Sequence, residues 1–138
     1  MKMVRGNRRT IIFLVEEDDD ARPGLTANLR REGYRLLVAA GLEDAHEWVS
    51  GERPLNADLV LINLVGKTPE ESVRLGRELR ERARYDGRMP LVVMPDKVPG
   101  DLEGKDINVS GNDWICYYDD DSHQLRTLLT RLLDKSSN

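Results

Sequence analysis

The chain is poor in the residues that would cross-link it or anchor it in a membrane. It has one cysteine, Cys116, in 138 residues, so no intrachain disulfide can form, and a reducing cytoplasm is the expected location. No apolar stretch approaches the ~20 residues a spanning helix needs. The apolar run at 11–15 is too short for a signal-peptide core. The two histidines, His46 and His123, have no Cys or His at metal-ligand spacing, so both are expected on the surface. There is no internal repeat, no low-complexity linker and no paired nucleophile and base that would mark an enzyme. Glycines are missing where a nucleotide-binding fold needs them. The segment after the first apolar run is Glu16-Glu17-Asp18-Asp19-Asp20, which repels phosphate and disfavours a flavin or dinucleotide.

What is present suits one globular domain. Hydrophobic residues make up 39% and charged residues 33% of the chain, with a net charge of −4. That balance gives no overall attraction to nucleic acid or to an anionic membrane. Basic residues gather at the start, at Lys2, Arg5, Arg8 and Arg9. We read 1–9 as a solubilising tail in preference to a nucleic-acid arm. Residues 10–135 are expected to form the domain, with a short tail at 136–138.

The stretch 58–64, Asp-Leu-Val-Leu-Ile-Asn-Leu, is the centre of the pattern. It is short, β-branched at Val60 and Ile62, and apolar except for Asn63 and its leading Asp58. That predicts a strand buried on both faces of a parallel sheet. Residues 10–15, 34–40, 90–94 and 114–118 read as four further strands. Helices are expected at about 23–32, ending at Gly33, and at 42–50. A long helix should run from Pro69 to about Arg84, with Val73, Gly76, Leu79 and Ala83 inward. The last helix should run from a cap at Asp121 or Ser122 to about Lys135, with Leu125, Leu128, Leu129, Leu132 and Leu133 inward. Residues 95–112 hold Pro95, Pro99, Gly100, Gly104 and Gly111, so no regular helix is expected beyond a turn or two. The alternation predicts a flavodoxin-like, doubly wound α/β fold, a five-stranded parallel sheet in the order 2-1-3-4-5 with an irregular fourth crossover.

In that order the carboxyl ends of the first and third strands flank the switch point where ligands bind. Glu16 and Glu17 would then stand beside Asn63, with Pro95 and Tyr117 closing the crevice. Two carboxylates and an amide oxygen could ligate Mg²⁺. The plainer reading is that the acidic run is solvated and supports the start of the next helix.

Five motifs in order, Phe13-Leu14-Val15-Glu16-Glu17, Gly33-Tyr34, Asp58 to Asn63, Pro90 to Met94 and Gly111-Asn112-Asp113-Trp114, resemble the receiver domain of bacterial response regulators over about residues 10–135. The resemblance implies a CheY-like module that takes a phosphoryl group from a histidine kinase onto an aspartate, with Mg²⁺ held by an acidic pair. By position the pair is Glu16 and Glu17, both longer than aspartate. The phosphoacceptor position holds Asn63, the hydroxyl position Pro95, and the lysine position Tyr117, or Tyr118 without a gap. Val65-Gly66-Lys67-Thr68 lacks the usual proline and glycine landmarks.

A carboxamide oxygen is uncharged and a poor nucleophile, proline has no hydroxyl, and tyrosine has no ammonium. Acceptor, hydroxyl and cation are lost together. A degenerate pseudo-receiver is therefore expected, acting by protein–protein contact without Asp phosphorylation, not an enzyme, with no cofactor beyond weak Mg²⁺ at Glu16, Glu17 and Asn63. The alternative is a metal- or small-molecule-binding module in the acidic crevice. An unusual acceptor such as Thr68 is a lesser possibility. With no appended domain in the chain, an adaptor role or a fragment of a longer protein is expected. If the crossover at 95–112 is a loop, part of the last helix's leucine stripe should be uncovered. A signalling partner or a homodimer is then expected on strand five and the last helix. Cys116 reads as a buried, inert thiol, and Trp114 with Tyr117 and Tyr118 as a possible exposed aromatic patch.

Overall fold

Apolar runs that cannot leave either face in water pack side by side under helices. In a computed structural model, which describes residues 10–53, 55–118 and 123–136, the strands are β1 (Ile11–Glu16), β2 (Arg35–Ala39), β3 (Leu59–Asn63), β4 (Leu91–Val93), β5 (Lys105–Ser110) and β6 (Asp113–Tyr117). They form one sheet in the order β2-β1-β3-β4-β6-β5, with β5 antiparallel to β6 and all other neighbours parallel. Every residue of β3 is buried. The basic residues at 2–9 and the expected cap at Asp121 or Ser122 lie outside the described residues.

Helices α1 (Arg22–Arg31) and α4 (His123–Ser136) cover one face. There Leu29, Leu125, Leu128, Leu129 and Leu132 pack on Ile12, Leu14, Leu59, Leu61, Val92 and Cys116. Helices α2 (Leu42–Val49) and α3 (Pro69–Arg82) cover the other, bringing Ala45, Val73 and Leu79 onto Phe13, Val15, Val60, Ile62, Leu91 and Val93. Trp48 of α2 stacks on Phe13, with ring centroids 6.1 Å apart. Among the described residues no helix is long and apolar enough to cross a membrane.

Local chemistry sets the helix ends. Helix α1 stops at Gly33, whose φ of 99° admits the reversal in which the Gly33 and Tyr34 N–H groups donate to the carbonyls of Arg30 and Leu29. Helix α3 opens with a reciprocal capping box. The Glu71 N–H donates to Thr68 Oγ1 at 3.1 Å and the Thr68 N–H to Glu71 Oε1 at 3.0 Å. The hydroxyl oxygen of Thr68 is thus engaged at the helix start. Helix α3 lies close to β4 at Gly76, where an added Cβ would stand 2.8 Å from Leu91 Cδ1. Leu91 is fully buried and has no room to yield. Gly76→Val is therefore expected to lower stability by about 2–3 kcal/mol, read by urea unfolding.

The structure corrects three expectations. First, the sheet has six strands, not five. Where the fourth crossover was expected to be irregular, the chain passes over the sheet at 94–104 and descends as β5. It then turns at Gly111, with φ 55°, into β6. The polar–apolar alternation Asp106-Ile107-Asn108-Val109 suits a half-exposed strand. Second, the leucine stripe of α4 is not left uncovered. Leu125, Leu128, Leu129, Leu132 and Leu133 are all buried. Helix α4 shares its face with α1, whereas the missing crossover helix would have lain on the α2 and α3 face. Third, the aromatic patch does not form. Tyr117 packs on one face of the sheet and Trp114 and Tyr118 on the other, because successive strand residues point to opposite sides.

Candidate functional site

The carboxyl ends of β1, β3, β4 and β6 meet at one mouth of the sheet. Parallel register sets Glu16 directly beside Asn63. Both are buried, at 0% and 4% exposure. Asn63 Nδ2 donates to Glu16 Oε2 at 2.7 Å, and the Asp18 N–H donates to the same oxygen at 3.1 Å. Glu16 Oε1 and Asn63 Oδ1 have no hydrogen-bond partner among the described residues. Burial pushes the Glu16 carboxyl up to about 7, against the pull of the Asp18 and Asn63 hydrogen bonds.

Glu17 does something different. Its Oε2 accepts from the Leu42 N–H at 3.2 Å, and its Oε1 accepts from the Val65 N–H at 3.0 Å. The carboxylate thus caps the start of α2 and holds the loop after β3. Asp18 Oδ1 accepts from the N–H groups of Asp20 and Ala21, turning the chain into α1. Arg22 donates to the Glu16 carbonyl at 3.2 Å and pairs with Asp19. The acidic run thus divides: Asp18 and Asp19 support the start of α1, as the plainer sequence reading has it, whereas Glu16 is buried and Glu17 binds N–H groups of distant loops.

Pro95 is buried at the end of β4. The next residue, Asp96, accepts from the Gly66 N–H at 3.3 Å, joining the loops after β3 and β4. The two tyrosines separate. Burial raises the Tyr118 phenol, helped by the charges of Glu16, Asp96 and Asp18, so Tyr118 borders the acidic mouth. Tyr117 is raised by burial and then by Glu70, on the other face of the sheet. Tyr118 packs on the sheet face of Leu14 and Leu61, and Tyr117 on the face of Val15 and Ile62. Asp58 sits at the far end of β3, its Oδ2 accepting from the Ile11 N–H at 2.9 Å. The capping role of Glu17 and the loop contact of Asp96 were not legible beforehand, because their partners lie 25, 48 and 30 residues away in the chain.

The donor set does not fit a resident Mg²⁺. Glu17 is turned to backbone N–H groups, and Glu16 offers one unspent oxygen and stays protonated to about pH 7. Among the described residues no three His, Cys, Asp or Glu side chains gather as a metal cluster.

Comparison with known proteins gives this geometry a context. A receiver-domain protein from Sinorhizobium medicae superposes with a TM-score of 0.69 at 18% identity, covering 94% of this chain and 98% of that one. A CheY-like receiver domain from Methanospirillum hungatei gives 0.68 at 13% identity, with the same coverage. The chain has the receiver-domain fold. A third neighbour, response regulator TrrA of Thermotoga maritima, was solved in complex with Mg²⁺ and BeF, and gives a TM-score of 0.62 at 18% identity, over 89% of this chain and 98% of that one. By sequence the chain is 28% identical over 83 residues to the transcriptional regulatory protein AfsQ1 of Streptomyces coelicolor, which covers 60% of this chain and 33% of that protein. The chain thus spans about a third of the curated relative it matches. No family model matches it. Within the receiver fold the mouth at Glu16 and Asn63 lies at the switch point, the end of the sheet where ligands bind in such architectures.

Proposed function

We propose that this chain is a receiver module of two-component signalling that works by protein–protein contact and takes no phosphate on an aspartate. The observation that carries the reading is the buried hydrogen bond from Asn63 to Glu16, 2.7 Å long, at the phosphoacceptor position. The Asn63 nitrogen is spent on holding Glu16. Its oxygen is an amide oxygen, with no negative charge to drive attack on phosphorus. Pro95 supplies no hydroxyl to a phosphoryl group, and Tyr118 supplies no cation. The module is a binding protein, not an enzyme. Its partner is a signalling protein or a second copy of the chain; with the leucines of α4 buried, the surface at β6 and α4 has no uncovered apolar stripe to offer among the described residues. The similarity to part of a named transcriptional regulator supports a signalling role.

A second reading has one observation in its favour. Glu16 Oε1 and Asn63 Oδ1 are buried oxygens without partners, the signature of a small donor or cation between them. One set of measurements separates the readings. Intact-mass spectrometry after incubation with Mg²⁺ and acetyl phosphate is expected to find no phosphate on the native chain, run beside Asn63→Asp. A phosphate adduct on the native chain would overturn the first reading. Thermal unfolding is expected to move by less than about 1 °C in millimolar Mg²⁺. A saturable rise of several degrees would favour the metal-binding module.

A further inference from the structure

Helices α1 and α4 share one face of the sheet, and a cleft of about 490 Å³ opens between them. Asn28, Arg31 and Glu32 line it from the end of α1, Tyr34 from the start of the next segment, and Arg126 and Thr130 from α4. The volume is that of a small-molecule site, well beyond a single water or ion. Arg31 Nη1 donates to Asn28 Oδ1 at 3.0 Å, and Arg126 Nη2 donates to His123 Nδ1 at 2.6 Å. Each guanidinium is thus steadied by the side chain one turn earlier in its own helix. Neither arginine forms an ion pair among the described residues, not even with Glu32, the one acid of the cleft. The chain has 25 acidic residues against 21 basic ones, so acids to pair with are plentiful. Two arginines left unpaired around one cavity mark the place of an anion from outside the chain. The Asn28 oxygen is engaged, and its Nδ2 donor has no acceptor among the described residues. The Tyr34 phenol stands beside the Thr130 side chain. Donors therefore outnumber acceptors in the lining.

We propose that this cleft binds a small phosphorylated molecule, its phosphoryl group held between Arg31 and Arg126. A carboxylate has two oxygens in one plane and is satisfied by a single guanidinium fork. A phosphoryl group has three oxygens that accept from several directions, which suits cations on two helices with an amide and hydroxyls beside them. The cleft is larger than the phosphoryl group, so the rest of the molecule lies inside it as well. Glu32 repels a second acid there and accepts from hydroxyl groups, which favours the phosphate ester of a polyol or sugar. The site lies at the opposite end of α1 from the mouth. Arg22, which donates to the Glu16 carbonyl, and Arg31 are separated by nine residues of helix, about 14 Å. Binding here is non-covalent, and it goes beyond the protein-contact reading given above without resting on it.

Amide chemical-shift titration of the full chain, at pH 7.5 and constant ionic strength, tests the assignment with glucose 6-phosphate, inorganic phosphate, succinate and glucose as probes. Glucose 6-phosphate is expected to shift amides at 28–34 and 126–131 saturably, with a dissociation constant on the order of 0.1–1 mM. Succinate and glucose should bind at least tenfold more weakly. Inorganic phosphate binding as tightly as the ester would assign the phosphoryl pocket to free phosphate, and tighter binding of the ester assigns it to a phosphorylated molecule. Arg31→Gln and Arg126→Gln should each weaken binding at least fivefold. Their melting points should stay within about 2 °C of the parent, because both side chains are exposed. Arg30→Gln removes an exposed charge of α1 that does not line the cleft, and should leave affinity unchanged. No saturable shift with either phosphate probe at about 10 mM would overturn the proposal. So would equal affinity for succinate, or a loss with Arg30→Gln as large as with Arg31→Gln, which would reduce the effect to bulk charge. A phosphate adduct in the mass measurement would sink the proposed function and leave this site standing.

Discussion

Asp113→Ala is expected to lower the unfolding free energy by about 3–5 kcal/mol, enough to unfold a marginal domain. Asp113 opens β6 and is 4% exposed. It accepts from Arg80 Nη1 at 2.6 Å and Nη2 at 3.2 Å, and from Arg77 Nε at 2.7 Å. Arg80 is itself buried, at 9% exposure, and its guanidinium also donates to the Met89 carbonyl at 2.8 Å. Removing the carboxylate leaves a buried cation with one neutral acceptor. The loss comes mainly from that uncompensated charge, more than from the ion pair's own strength. Arg77→Ala should therefore cost little, about 1 kcal/mol or less, because its side chain is 40% exposed and can turn to water. Replacing Arg80 and Asp113 together by Met and Leu should recover most of the loss. Urea unfolding of the parent and the three variants tests this, and an Asp113→Ala penalty below about 1 kcal/mol would refute the account.

Glu16→Gln should stabilise the protein, and the gain should grow with pH. The Glu16 carboxyl sits at about 7 in the fold, against an ordinary value of 4.5. An acid with a raised value favours the folded state in its protonated form. That contribution is fully present below about pH 4.5 and is lost as pH rises through about 7, since the unfolded chain gives up its proton first. Between pH 5 and pH 8 the parent should lose about 2–3 kcal/mol that the glutamine variant retains. Glutamine keeps an oxygen to accept from Asn63 and Asp18 and removes the ionisation. Unfolding free energies of the two proteins, measured at half-unit pH steps, should run together at pH 4.5 and diverge above it. Parallel curves across the range would mean that Glu16 ionises normally in the fold.

The sequence carried most of the architecture. Double-sided apolar runs at 11–15, 59–62 and 91–93, and the leucine stripe of α4, determine a parallel sheet with helices on both faces. Strand burial has a period of 2 and helix burial a period of about 3.6, and both are local. That position 63 carries an amide in place of a carboxylate was equally plain, because residue chemistry travels with the residue. Three things were decided only in three dimensions. The hairpin of β5 and β6 gains its place from pairing with β4, and its short alternation, broken by Gly104 and Gly111, carried too weak a periodic signal alone. The sheet face on which each of Tyr117 and Tyr118 packs was the second. The division of labour between Glu16 and Glu17, one buried and protonated near neutrality, the other capping α2 and the loop after β3, came from contacts across distant loops. Local composition could show that the acidic run was dense in charge. Only the tertiary structure could set which of those charges water would no longer reach.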